Sequence, residues 1–162
     1  MIMLHPPHVG WLAHDAPGGF SALMDLYECN YINMRRLLPI MPPASAVRVS
    51  RTPGGMDLHL RVVERCRYTS ELILTYQFGQ EQGPPVAEPD LRIRVYHDAR
   101  LAEVVTAHLR YRVSFATDPL DSRSPDRNPL CNRWRINRFL YKWLTYCWRQ
   151  GHRFVEPHQP PA

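Results

Sequence analysis

Apolar and polar residues alternate with a period of two in the middle of the chain, and this alternation constrains the fold more than any other feature. In MDLHLRVVE (56 to 64), Leu58, Leu60 and Val62 alternate with Asp57, His59 and Arg61, and in ELILTYQF (71 to 78) Leu72, Leu74, Tyr76 and Phe78 repeat the pattern. Successive side chains of an extended chain point to opposite faces, so each stretch reads as a strand with one buried and one wet face. AVRVSR (46 to 51), LRIRVYHD (91 to 98) and LAEVVTAHLRYRV (101 to 113) bring the set to up to five strands. TPGG marks a turn after the first, and the Gly- and Pro-rich GQEQGPPVAEPD (79 to 90) reads as a linker. Consecutive strands joined in this way predict an antiparallel meander.

Both flanks change to helical spacing. Leu23, Tyr27, Tyr31, Met34 and Leu38 recur every three or four residues and predict a helix over 22–38, with Ser21 as N-cap, Arg35 and Arg36 in the last turn and Pro39 as the stop. PIMPPAS links it to the strands. After the polar loop 114–128, Pro129 suits a first helical position and Gly151 a C-terminal cap, which predicts a second helix to about Gln150. Helix, sheet, helix is an α+β arrangement, most simply with both helices covering one face of the sheet. With 162 residues, 44% of them hydrophobic, the chain suits one domain, placed at 20–152 between a flexible arm (1–19) and a tail (153–162). His5, His8, His14 and Asp15 of the arm lack the spacing of a metal site and read as solvated.

The segment VYHDARLAEV (95 to 104) places a histidine beside an aspartate at a chain reversal. Folding it about Asp98 and Ala99, through a two-residue turn or a four-residue loop of the same register, predicts the pairs His97–Arg100, Tyr96–Leu101, Val95–Ala102, Arg94–Glu103, Ile93–Val104, Arg92–Val105 and Leu91–Thr106. Leu91, Ile93, Val95, Ala102 and Val104 then share the core face, and Glu103 is expected to form an ion pair with Arg94 across the ladder. Asp98 suits a turn, where its carboxylate can hydrogen-bond backbone amides. The functional alternative is a small hydrolase or ligand-binding enzyme centred on His97 and Asp98, joined in space by Asn30 or His152.

Charge is concentrated at the other end of the chain. Between Arg123 and Arg153 eight basic residues stand against one acid, Asp126, so this quarter carries +7 while the rest of the chain is at −2, for a net +5. At about 100° per residue, Ile136, Leu140, Trp143, Leu144 and Cys147 form the apolar face of the second helix, with Phe139 at its edge. Arg135, Arg138, Lys142 and Arg149 gather on the far side, flanked by Trp134 and Tyr146. Such a stripe forgoes the opposite-charge pairs of an ordinary solvated helix, and it fits an anionic partner, either nucleic acid or an acidic protein surface.

Other classes find no support. No apolar run approaches the roughly 18 residues that span a bilayer, and the first residues lack the charge and apolar core of an export signal, so a cytoplasmic protein without membrane partners is expected. Cys29, Cys66, Cys131 and Cys147 occur singly, which suits free thiols better than a disulfide framework or a zinc site. There is no GxSxG, GxxxxGK[ST], GxGxxG or HExxH sequence, and no cofactor or metal is expected.

Three segments together, LYECNYINMRRLLP (26 to 39), DLRIRVYHDARLAEV (90 to 104) and NRFLYKWLTYCWRQGH (137 to 152), resemble the YqiB-like family of bacterial proteins, a domain of unknown function. The similarity covers roughly residues 20 to 152, with Tyr27, Asn30, Tyr31, Tyr96, His97, Asp98, Ala99, Trp143, Gly151 and His152 at the matching places. It implies a bacterial cytoplasmic protein and brings no activity or catalytic residue with it.

Overall fold

A computed structural model describes residues 19–78, 81–108 and 129–155; the arm, the 114–128 loop and the end of the tail fall outside the described residues. Helix α1 (Phe20–Leu37) is followed by strands β1 (Val47–Ser50), β2 (Leu58–Arg65), β3 (Thr69–Phe78), β4 (Val86–Tyr96) and β5 (Leu101–His108), and then by helix α2 (Pro129–Arg149). The five strands form one antiparallel sheet in chain order, the expected meander. Among the described residues no helix is long and apolar enough to cross a membrane.

Both helices cover the same sheet face. Leu58, Leu60, Leu72, Leu74, Leu91, Ile93, Val95 and Ala102 on that face pack with Met34 and Leu37 of α1 and with Leu140, Trp143, Leu144 and Cys147 of α2. Burying an aliphatic side chain of this size contributes roughly 1.5–3 kcal/mol, so this cluster is the main stabilising element of the fold. The helices run side by side in the same direction, because contacts advance together along both: Asn30 meets Asn137, Asn33 meets Thr145, and Phe154 beyond α2 meets Leu37.

Several local expectations shift. Helix α1 begins at Phe20, two residues earlier than expected, with Gly19 rather than Ser21 at the N-cap position and no side-chain cap bond. Strand β4 starts at Val86, inside the stretch expected to be a linker; Pro89, which has no N–H to donate, sits where the β3–β4 register slips between Thr75 and Gln77. Phe154, assigned to the tail from its sequence, is buried in the core, and its N–H donates to the Leu37 carbonyl.

The glycine cap explains that last contact. Gly151 takes φ +90°, its N–H donates to the Trp148 carbonyl, and the His152 N–H donates to the Cys147 carbonyl. This paired pattern closes the end of α2 and turns the chain back onto the sheet, at a backbone angle that only glycine adopts without strain.

Candidate functional site

Local irregularity brings cationic side chains together at the end of the sheet beneath α1. In β2 the register against β3 slips between Val62 and Glu64, so Val63 is an extra residue. Before it the even residues Leu58, Leu60 and Val62 face the helices; after it Arg65 pairs with Ser70 and takes over that face. Ser70 is buried, and its hydroxyl shares a 2.8 Å hydrogen bond with His97 Nε2. The backbone N–H of His97 donates to the Tyr68 carbonyl, which fixes the histidine against the β2–β3 turn.

His97 therefore lines a groove of about 540 Å³ together with Arg35 of α1, Pro39, Ile40 and Met41 of the following linker, and Arg65, Cys66 and Arg67. Burial, then the charges of Arg65 and Arg35, hold the His97 imidazole below its usual pKa, with Asp98 opposing weakly. Arg67 lies over the Tyr68 ring at 5.1 Å. The Cys66 thiol donates to Glu64 Oε1 at 3.3 Å, and this bond pushes its pKa up.

The other residues suggested as catalytic do not join His97. Asp98 is exposed in the turn. The ladder ends at Tyr96–Leu101, so of the two expected closures the four-residue loop, 97–100, is the one formed, with Arg100 at φ 56° and His97 outside the ladder. Asn30 is buried between the helices and donates to the Asn137 carbonyl at 3.2 Å. His152 is 1% exposed, shares a 3.0 Å hydrogen bond with Ser50 and packs its ring on Tyr76 at 5.6 Å. Burial lowers its pKa as well. Asn30 and His152 thus tie elements together at separate points. Among the described residues, no three His, Cys, Asp or Glu side chains are placed to hold a metal ion.

On the opposite face of the sheet, the arginines are compensated. Arg92 Nε donates to Glu71 Oε2 at 2.7 Å, and Arg94 Nε donates to Glu71 Oε1 at 2.9 Å. Glu71 is only 6% exposed; its bond to Arg94, then that to Arg92, holds it below the usual carboxylate range despite its burial. The expected Arg94–Glu103 ion pair is thereby replaced. The two residues do stand opposite one another, but β3 brings Glu71 to Arg94 from the other side, and Glu103 instead accepts the Tyr96 hydroxyl at 2.6 Å. The register beyond Val104 also differs: Val105 is an extra residue, so Arg92 pairs with Thr106 and Leu91 with Ala107, which places Ala107 against the core. Beside this bulge the Val104 N–H donates to buried Asn137 Oδ1 at 2.9 Å, and Asn137 Nδ2 donates to the Arg133 carbonyl, so Asn137 connects α1, α2 and β5.

On α2, Lys142 and Arg149 are exposed and Arg135 and Arg138 half-buried. Trp134 departs from the expected flanking position: it is 1% exposed and packs with Leu23, Leu26 and Tyr27 of α1, so no ligand reaches its ring from solvent. Arg138 instead lies over that ring at 5.4 Å. The exposed aromatic residues beside the basic positions are Tyr146, at 52%, and Trp148, at 41%.

Reasoning from sequence missed Arg35, Arg65, Arg67 and Ser70 as neighbours of His97, and Glu71 as the partner of two arginines. A signal existed only for Arg35, assigned there to the helix dipole. The others depend on a bulge and on strand neighbours that periodicity leaves unspecified.

Comparison with known proteins finds relatives without assigned functions. Residues 33–153 match a family described as "Protein of unknown function (DUF1249)". The chain is 30% identical over 135 residues to "Uncharacterized protein YqiB" of Escherichia coli strain K12, covering 82% of this chain and 90% of the relative; the proteins of the same name from strains O6:H1 and O157:H7 match to the same extent. No solved structure matches the chain. The family match takes in the last turn of α1, the sheet, the His97 groove and α2, and the chain belongs to this family of proteins of unknown function.

Proposed function

We propose that the chain is a non-enzymatic binding module for an anionic partner, engaged through the solvent-facing basic side of α2. One observation carries the reading: from Pro129 to Arg149 there is no Asp or Glu, so no carboxylate of the helix stands one turn away from exposed Lys142 or Arg149. Exposed Tyr146 and Trp148 beside Arg149 supply stacking surface, which favours single-stranded nucleic acid over an acidic protein. Free thiols at Cys29, Cys66 and Cys147 fit a reducing, cytoplasmic setting.

Fluorescence polarisation tests this with a labelled single-stranded oligonucleotide, using polyglutamate as the acidic-protein arm. Expected is oligonucleotide binding that weakens steeply between about 50 and 200 mM salt. Each of Lys142→Ala and Arg149→Ala should weaken it several-fold, and Tyr146→Ala should weaken the oligonucleotide complex more than any polyglutamate complex. Equal or tighter binding of polyglutamate would reassign the partner to an acidic protein, and no binding of either probe at low salt would end the reading.

A further inference from the structure

We propose that the groove between the end of α1, the Pro39–Met41 linker and the β2–β3 turn is a binding site for a small molecule that joins a phosphate-type dianion to an apolar body. Its residues are distinct from those on α2, and the proposal does not depend on that reading.

Four elements each contribute a cationic or titratable group to one opening: Arg35 from α1, Arg65 from the end of β2, Arg67 from the turn and His97 from the end of β4. None of the described residues lining it is an acid. Glu64, beside Arg65 in β2, accepts the Cys66 thiol, and exposed Asp98 lies outside the lining. Among the described residues neither Arg35 nor Arg65 forms an ion pair, and His97 Nδ1 has no protein partner, since the Ser70 bond occupies Nε2. Cationic groups held together without a counter-charge repel one another, and an incoming anion reverses that cost.

Guanidinium groups approaching from several directions match the several oxygens and double charge of a phosphate better than the single plane of a carboxylate. Pro39, Ile40 and Met41 provide the apolar side, and Ile40 is 65% exposed. The volume of about 540 Å³ exceeds what one phosphate fills and falls in the usual range for small-molecule sites. The lowered pKa of His97 gives the site a reporter: burial, then Arg65 and Arg35, depress it while Asp98 raises it, so the negative charge of a bound dianion is expected to move it upward.

The experiment uses the full chain and follows the His97 ring by NMR while inorganic phosphate, phenyl phosphate or benzoate is added. Phenyl phosphate should bind at least about tenfold more tightly than either of the others, a ratio of about 1.4 kcal/mol, and should raise the His97 pKa. Arg35→Ala and Arg65→Ala should each weaken it about tenfold or more. Arg61→Ala, on the other face of the sheet, removes the same charge as a control and should leave the affinity unchanged. The proposal is overturned if no probe shifts His97 at millimolar concentration, if benzoate binds as tightly as phenyl phosphate, or if Arg61→Ala weakens binding as much as Arg65→Ala.

Discussion

Arginines cluster on both faces of the sheet, with opposite outcomes. On one face Arg92 and Arg94 close around Glu71, a carboxylate supplied by the neighbouring strand and nearly sealed from solvent. On the other, Arg35, Arg65 and Arg67 gather with His97 around an open groove that, among the described residues, no carboxylate lines. The first cluster is complete and serves stability. The second has the charge of a binding site and no counter-ion among the described residues, and the same residue type therefore does different work according to what the adjacent strand places opposite it.

The largest expected effect breaks the complete cluster. Glu71→Ala removes the shared partner of two half-exposed arginines and should lower unfolding stability by about 2–3 kcal/mol, below the range for a fully buried pair because solvent screens the arginines. Urea denaturation checks it, and a loss below about 0.5 kcal/mol would mean that Glu71 is not the keystone of that face.

The acid dependence comes next. Glu71 is held below its usual pKa of 4.5, so its contribution is complete above about pH 4.5 and is lost as pH falls through the folded-state value. Glu71→Gln should flatten the stability profile in that window. His97 is held below its usual 6.5, so the unfolded chain takes up this proton first, and stability falls as pH drops from about 6.5 towards the folded-state value. Thermal melts of His97→Gln should show a shallower slope, with buried His152 supplying the remainder, and added phenyl phosphate should oppose it in the wild-type chain.

A smaller effect follows from giving the groove its own counter-ion. Ile40→Glu should raise stability by up to about 1 kcal/mol at low salt, lose that gain at high salt, and weaken phenyl phosphate binding. Unchanged phenyl phosphate binding would show that Ile40 does not border the occupied part of the groove. The smallest change is expected from Arg65→Ala, within about 0.5 kcal/mol of wild type in urea, because this side chain has no ion-pair partner among the described residues to lose.

The two helices, the meander and the hairpin register as far as Val104 were legible because each follows from a period of two or from helical spacing. What was hidden depended on single inserted residues and on neighbours distant in sequence. Val105 shifted Leu91 from Thr106 to Ala107, and Val63 moved Arg65 onto the helix-covered face; an alternation rule has no means of registering either. Arg94 was aligned correctly with Glu103 yet bonded to Glu71, since a central strand has two neighbours and a hairpin reading sees one. Trp134 was assigned to a flank because an amphipathic helix was assumed to bury one stripe. Packing on both a sheet and a parallel helix widens the buried arc of α2 to include Trp134 and Asn137.

The extra residue at Val63 divides β2 into two reading frames. Upstream, even-numbered positions belong to the core and odd ones to solvent; downstream, the odd-numbered Arg65 faces the helices. Substitutions at Arg65, Cys66 and Arg67 can therefore alter the groove without touching Leu58, Leu60 or Val62. The strand holds a fixed structural half and an adjustable ligand-facing half, joined at one residue.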